Sequence, residues 1–448
     1  MKRLFGTDGI RAVAGEPPLD PATVRRFGAA LAEVLGQHAS AARPSRVVLG
    51  RDTRESGPWL RDALVAGLAS GGALVVDAGV ITTPGLARVI QADGFSGGVM
   101  ISASHNPFED NGLKAFGADG AKLSDALEVR IERRIIDEDI ADPGAATAAA
   151  ALETSLVEHY IEHLGRALGP DGRLAGMHLV LDCANGAACA IAPRVFRSHG
   201  ARIEAIGIEP DGRNINLDCG SLHLERLSHA VRERGATVGL AFDGDADRCL
   251  AVDRRGRVAD GDHILFVTGR RLKQRGKLSG DAVVATIMSN FWLEERLASE
   301  GIALRRTAVG DKYVLEEMIE HDLVLGGEQS GHIIFREHAT TGDGILTGLL
   351  LLDALAEGPP LEEILDDITP YPQVLVNVKV RQKPDLRKHP RIGPAVRDLE
   401  AALDGHGRVV LRYSGTEPKA RVMLEGRDPE GIRAMADALA SLIAKELG

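Results

Sequence analysis

RVVLGRDTRESGPWLRDALVAGLASGGALVVDAGV, residues 46–80, sets two β-branched runs on either side of an amphipathic stretch. RVVLGRD (46–52) is a strand that ends in polar residues. SGPWLRDALVAGLASGG (56–72) is a helix stopped by Gly71 and Gly72, and ALVVDAGV (73–80) is the next strand. Upstream, Asp20 and Pro21 form an N-cap and first-turn pair opening a helix through Val24, Phe27, Leu31 and Leu35. Downstream, TPGLARVIQ (83–91) is a short helix and GGVMISAS (97–104) another strand. Strand and helix in alternation is the βαβ pattern, which predicts a sheet with helices packed on it.

The strand-then-polar-turn pattern recurs in HLVLDCANGAA (178–188) and DAVVATIMSN (281–290), which suggests three similar α/β units. ADPGAATAAAAL (141–152), opened by Pro143 and Gly144, marks a boundary between two of them. After YPQV (371–374) the texture becomes strand, then helical PAVRDLEAALDG, then a hairpin in RVVLRYSGTEPKARVMLEG, an α+β order. The expected domains are therefore 1–150, 151–253 and 254–369, all α/β, and a smaller α+β domain over 370–448.

A chain of 448 residues is long enough for about three domains at roughly 150 residues each. The net charge of −11 repels phosphate backbones and anionic lipids, which argues against nucleic acid or membrane as partner. An anionic substrate would therefore need basic side chains concentrated locally. Cys183, Cys189, Cys219 and Cys249 show no C-x-x-C spacing, so a reducing, cytoplasmic setting is the simpler reading. MKRLFGTDG has no apolar stretch behind its basic residues and does not read as a secretory signal. ILTGLLLLDALA (345–356) reads as a buried helix, not a membrane span.

Four segments carry chemistry. In DGDADR (243–248), at the end of the strand TVGLAF, Asp243, Asp245 and Asp247 crowd three carboxylates around Gly244. Such a cluster repels itself unless a cation sits in it. All-oxygen ligands in an incomplete shell favour Mg²⁺, although a solvated acidic turn is an equal reading of the triplet alone. An EF-hand is excluded, since its twelfth position would be Arg254.

GVMISASHNPFEDNGLK (98–114) delivers Ser102 and Ser104 to an Asn- and Pro-rich turn beyond a strand, where ligands of open α/β sheets gather. Ser104, beside His105, is a candidate nucleophile and Lys114 a candidate acid or base; the bland alternative is a turn with an incidental serine. In RYSGTEPKAR (412–421), Arg412, Ser414, Gly415, Thr416 and Arg421 form a plausible anion cradle without the pattern of a nucleotide loop. In GGEQSGH (326–332), Glu328 and Ser330 can meet hydroxyls of a polar ligand. Asp343 in TTGDG reads as a helix cap, and Trp59 and Trp292 as packing residues.

GTDGIR (6–11), SASHNP with NGLK (102–114), DGDADR, GEQSGH (327–332) and RYSGTEPKARVMLEG (412–426) occur in one order over nearly the whole chain. On these the sequence resembles the α-D-phosphohexomutase superfamily. GEQSGH in place of a GEMSGH-like loop, with CANGA (183–187), INLDCGS (215–221) and TAVGDKYV (307–314), resembles its bacterial glucosamine-phosphate branch. The resemblance implies three α/β domains and a C-terminal α+β domain around a central cleft. It implies a phosphate on Ser104, with a phosphate oxygen joining Asp243, Asp245 and Asp247 on one Mg²⁺ per subunit. Arg11 and Arg248 would stabilise the transferring group, and Lys114 would be general acid/base with His105 nearby. Glu328 and Ser330 would read sugar hydroxyls beside His332. Arg412, Ser414, Gly415, Thr416 and Arg421 would hold the phosphate not in transfer.

The implied reaction interconverts glucosamine 6-phosphate and glucosamine 1-phosphate through a sugar 1,6-bisphosphate, feeding UDP-N-acetylglucosamine synthesis. A homodimer is compatible with it. A sibling mutase for mannose or glucose phosphates and a silent sugar-phosphate-binding protein are the alternatives.

Overall fold

The computed structural model describes residues 4–6, 8–36, 44–138, 140–144, 149–169, 173–414 and 418–448. Its strands form four sheets, and three of these share one strand order. In the first sheet Arg46–Arg51 is central, with Leu74–Val80 and Gly97–Ile101 parallel to it on either side. Asp110–Gly117 then returns antiparallel beside Gly97–Ile101. The second sheet repeats this with His178–Asp182, Arg202–Ile206, Val238–Phe242 and Cys249–Asp253. The third uses Ala282–Thr286, Ala303–Thr307, Leu325–Gly327 and Ile333–Phe335. The turn between third and fourth strand therefore falls at residues 102–109, 243–248 and 328–332. These are the serine, aspartate and Glu328 segments. One topological position, used three times, supplies three of the four chemical loops.

Burial explains why these runs are strands. Val238–Phe242 is buried along its whole length, so both of its faces are covered, as in a largely parallel sheet under helices. Apolar positions do not need to alternate there, and Gly239 and Ala241 fill the tight places. The helices Pro21–Leu35 and Gly57–Ser70 cross where glycines leave room: a Cβ on Gly67 would lie 2.1 Å from the Arg25 carbonyl oxygen. Asp20 caps the first of these helices through the Thr23 N–H, as its sequence position implies.

One hydrophobic core runs continuously through the second and third units, joined by the buried helix Gly344–Ala356. The first unit has two clusters, one of which takes in Leu156 from the helix Ser155–Gly165, and the C-terminal unit has a separate core. The short strand Ala151–Leu152 pairs with Val76 and Asp77 at the edge of the first sheet. The C-terminal unit has three antiparallel strands in the order Gln373–Lys379, Lys419–Gly426, Gly407–Tyr413, packed with the helices Ile392–Ala402 and Pro429–Leu447. Asp343 caps the Gly344–Ala356 helix through the Leu346 N–H, and Trp292 is buried. Among the described residues no helix is long and apolar enough to cross a membrane.

Candidate active site

The first and second units meet through their equivalent turns. Ser104 has φ +55°, in the left-handed region that non-glycine residues seldom occupy. Its Oγ donates to Asp243 Oδ2 at 2.5 Å, and both residues are buried. Gly244 makes the approach possible, because a Cβ there would lie 2.5 Å from the Ser104 carbonyl oxygen.

Asp243, Asp245 and Asp247 present carboxylate oxygens within 4.8 Å of one another, all in buried residues. Burial, together with the charges of Asp247 and Asp245, pushes Asp243 well above the usual carboxylate range. Asp245 Oδ1 and Asp247 Oδ1 accept no hydrogen bond among the described residues. Buried carboxylate oxygens without donors, crowded by like charges, are what a hard divalent cation would satisfy, and Mg²⁺ fits this donor set.

Lys114, on the strand Asp110–Gly117, sends Nζ to Asp245 Oδ2 at 2.8 Å, Asp247 Oδ2 at 3.2 Å and Asp8 Oδ2 at 3.3 Å. Burial opposes its charge, but the carboxylates of Asp245, Asp8 and Asp247 hold the ammonium well above its ordinary range. His105 Nδ1 lies 3.3 Å from Ser104 Oγ. Burial and the guanidinium groups of Arg248 and Arg11 lower this imidazole to about 4, so it is neutral at pH 7. Arg11 donates to Asp8 at 2.5 Å, and Arg248 Nε sits 3.9 Å from Asp247 Oδ1.

The third unit brings in His332. Its Nε2 accepts the Gly342 N–H at 2.9 Å, which leaves the proton on Nδ1, 3.7 Å from Asp247 Oδ1. Glu328 accepts the Gly310 N–H at 3.1 Å, while Ser330 Oγ has no hydrogen-bond partner among the described residues.

In the C-terminal hairpin Arg412 pairs directly with Arg421 across the strands. Two like charges opposite each other on a sheet are unfavourable without an anion between them. Burial and the Arg421 charge lower the Arg412 guanidinium from its ordinary value. Lys383 donates to the Ser414 carbonyl at 2.8 Å. Gly415 and Thr416 lie outside the described residues. The C-terminal unit is tied to the third one by Arg408 on the Ser289 carbonyl, and the chain leading into it is held by Asn290, which donates to the Tyr371 carbonyl at 2.9 Å.

Sequence reading missed several residues of this centre. Asp8 sits inside the GTDGIR motif but had no assigned role. Lys122 bridges Asp8 and Asp311, the latter at 2.6 Å, and thereby links the first and third units. Thr83 donates to Asp245 Oδ2 at 2.5 Å. For Lys122 and Thr83 no local pattern carried a signal.

Four family models, described as phosphoglucomutase/phosphomannomutase domains, match in order: α/β/α domain I at 2–142, domain II at 158–256, domain III at 260–371 and the C-terminal domain at 375–442. The chain belongs to the phosphoglucomutase/phosphomannomutase family, the phosphohexomutases, and is an isomerase of that class. Within it, the chain is 49% identical to the phosphoglucosamine mutase of Solibacter usitatus, covering 100% of this chain and 99% of the relative. It is 49% identical to that of Deinococcus deserti, covering 99% and 98%. A phosphoglucomutase/phosphomannomutase family protein from Burkholderia thailandensis shares the fold with a TM-score of 0.80 at 23% identity, covering 99% of this chain and 98% of that one. The Aspergillus fumigatus N-acetylphosphoglucosamine mutase, solved with GlcNAc-6P and magnesium, does so with a TM-score of 0.71 at 19% identity, covering 100% and 96%.

Proposed function

We propose that this chain interconverts glucosamine 6-phosphate and glucosamine 1-phosphate, with Ser104 carrying the phosphoryl group between them. The observation that carries the reading is Ser104 Oγ against Asp243, inside a cluster of three buried carboxylates and beside the Lys114 ammonium. The full-length relatives named phosphoglucosamine mutase support the choice of sugar.

Phosphoryl transfer needs neutralised charge and in-line positioning more than covalent invention. In the first half-reaction the bond from phosphorus to Ser104 Oγ breaks and a bond to O1 of glucosamine 6-phosphate forms. The proton lost from O1 ends on Ser104 Oγ, with Lys114 as the general acid/base that gives one proton and takes back the other. The 1,6-bisphosphate then turns over without leaving. The bond from phosphorus to O6 then breaks as one to Ser104 Oγ forms, and the serine hydroxyl proton passes by way of Lys114 to O6, giving glucosamine 1-phosphate.

Asp243, Asp245 and Asp247 would hold Mg²⁺, which supplies Lewis-acid neutralisation of phosphoryl oxygens. Arg11 and Arg248 face the same space and add positive charge to it. The neutral His105 orients the serine hydroxyl. Glu328, Ser330 and His332 read sugar hydroxyls. Arg412 and Arg421, with the loop between them, grip whichever phosphate is not reacting, which gives an acidic chain the local positive site its substrate requires. Four free thiols, three of them buried, suit a reducing cytoplasmic setting.

The test is a turnover assay on glucosamine 6-phosphate, glucose 1-phosphate and mannose 1-phosphate, each primed with its 1,6-bisphosphate. The expected result is the highest kcat/KM on glucosamine 6-phosphate. A preference for glucose or mannose would make this a sibling mutase. Turnover of none would make it a binding protein.

A further inference from the structure

The polar end of the strand Arg46–Arg51 has no part in the chemistry described so far, yet Asp52 and Arg54 lie directly under the serine loop. We propose that Arg54, acting with Asp52 and Ser102, is the positioning residue that holds Ser104 in its reactive backbone shape. The inference rests on the reading of Ser104 as the phosphoryl carrier.

The Arg54 side chain is fully enclosed. Its guanidinium has five N–H donors, and five acceptors meet them. Nε donates to Asp52 Oδ2 at 2.9 Å. Nη2 donates to the carbonyls of Ser104 at 3.1 Å and Asn106 at 2.9 Å. Nη1 donates to the Asp110 carbonyl at 3.0 Å and to that of Pro107. One side chain thus gathers four backbone carbonyls of a single seven-residue turn.

Asp52 closes the circuit from the other side. Its Oδ1 accepts the Arg54 N–H at 3.0 Å, and its Oδ2 accepts the Ser102 hydroxyl at 2.6 Å. Ser102 Oγ in turn accepts the Ser104 N–H at 2.9 Å. Both backbone groups of Ser104 are therefore held, its N–H through Ser102 and its carbonyl by Arg54. Asn216, from the second unit, doubles the grip on the Ser104 and Asn106 carbonyls at 2.9 and 3.1 Å.

A left-handed non-glycine residue persists only where its surroundings over-determine it. Here they do, and the result is a hydroxyl aimed at Asp243. Because Arg54 is enclosed it meets neither substrate nor metal and acts through the turn alone. Lysine would not substitute, since its three donors radiate from one nitrogen and cannot span four carbonyls. This also gives Ser102 a role distinct from that of its neighbour: it is a hydrogen-bond relay, not a phosphate acceptor.

The test uses the full chain with Arg54→Lys and, as the variant that removes least, Ser102→Ala. Circular dichroism and melting select folded protein. Turnover of glucosamine 6-phosphate is then split into kcat and KM, and hydrogen exchange is followed on the peptide spanning residues 102–110. The expected result is a fall in kcat on the order of 10–100-fold, the size of an ångström-scale misplacement, with KM unchanged within about twofold. Exchange should accelerate in that peptide and not elsewhere. Unchanged kcat in folded variants, or a loss that falls on KM, overturns the proposal. If the wild-type enzyme carried no phosphate on Ser104 by mass spectrometry, the phosphoserine reading would fail by itself. The exchange measurement would still decide the positioning claim, and unaltered exchange at residues 102–110 would overturn it.

Discussion

Lys122 Nζ lies 2.6 Å from Asp311 Oδ2 and also contacts Asp8, so one ammonium joins the first unit to the third beside the candidate active site. Its charge is held above the ordinary lysine range, because the carboxylates of Asp311 and Asp8 outweigh the effect of burial. Removing it leaves two facing carboxylates. Lys122→Met should cost on the order of 2 kcal/mol, between the value for an exposed pair and that for a fully buried one. Urea unfolding of variant and wild type measures the difference. A change under about 0.5 kcal/mol would mean the bridge is ornamental.

Ser104→Ala should remove mutase turnover by roughly 10⁴-fold or more, as loss of a nucleophile typically does, and leave the melting temperature nearly unchanged. Phosphopeptide mapping of active wild-type enzyme should place the phosphate on Ser104. Phosphate on Ser102 alone would transfer the role to the wrong side of the relay and sink the assignment.

Asp245 offers one oxygen to Lys114 and Thr83 and has another without a donor. Asp245→Asn should weaken Mg²⁺ binding on the order of tenfold or more and lower kcat with it. Calorimetric titration with Mg²⁺ gives the affinity. Full activity after exhaustive chelation would refute the metal's role.

Arg412→Ala removes a contact that both orientations of the bisphosphate would use. A charge-assisted contact is worth about 1.5–3 kcal/mol, so KM should rise about 10–150-fold and by more than kcat falls. Hydrolysis of the phosphoserine by water has no second phosphate to hold and should be nearly unaffected. Hydrolysis falling in step with turnover would place Arg412 at the reacting centre.

Asp343, a helix cap and not one of the three clustered aspartates, gives a pH signature of its own. Burial raises its carboxyl from 3.8 to about 6, while it accepts from Tyr160 and the Leu346 N–H. Between about pH 4 and pH 6 the folded state therefore binds more protons than the unfolded one. Its contribution to stability falls as pH rises through that window and is fully lost above it. The two-unit shift corresponds to roughly 3 kcal/mol. Asparagine caps helices as well as aspartate does and carries no charge. Asp343→Asn should gain stability relative to wild type between pH 4 and pH 7, read from paired melting curves. A difference that stayed constant over that range would contradict the assignment.

The strands and helices around residues 46–101 were legible because each is set by local periodicity and by caps a few residues away. The serine, aspartate, Glu328 and Arg412 segments were legible because their chemistry is packed into runs of six to ten residues. Arg54 was not, since its acceptors lie some 50 residues on and no pattern joins GRDTR to SASHNP. Asn216 and Lys122 are further cases, with partners 112 and 189 residues away. The shared strand order of the three sheets was equally hidden, because periodicity marks a strand without naming its neighbour.

The continuous core of the second and third units has a consequence for binding. The aspartate turn and the Glu328 turn stand on one hydrocarbon mass, so on the proposed function metal and sugar hydroxyls would be read from a common platform. Ser104 arrives on a unit that meets the second one through Leu156 and Val157 as well as through polar contacts, and Arg412 on a unit with a core of its own. Four stations thus ride on three units, of which the one bearing Arg412 has a core that shares no residue with the others. On the proposed reaction the bisphosphate is re-gripped in mid-reaction, and this division would let the Arg412 handle shift while the ground beneath the aspartates stays still.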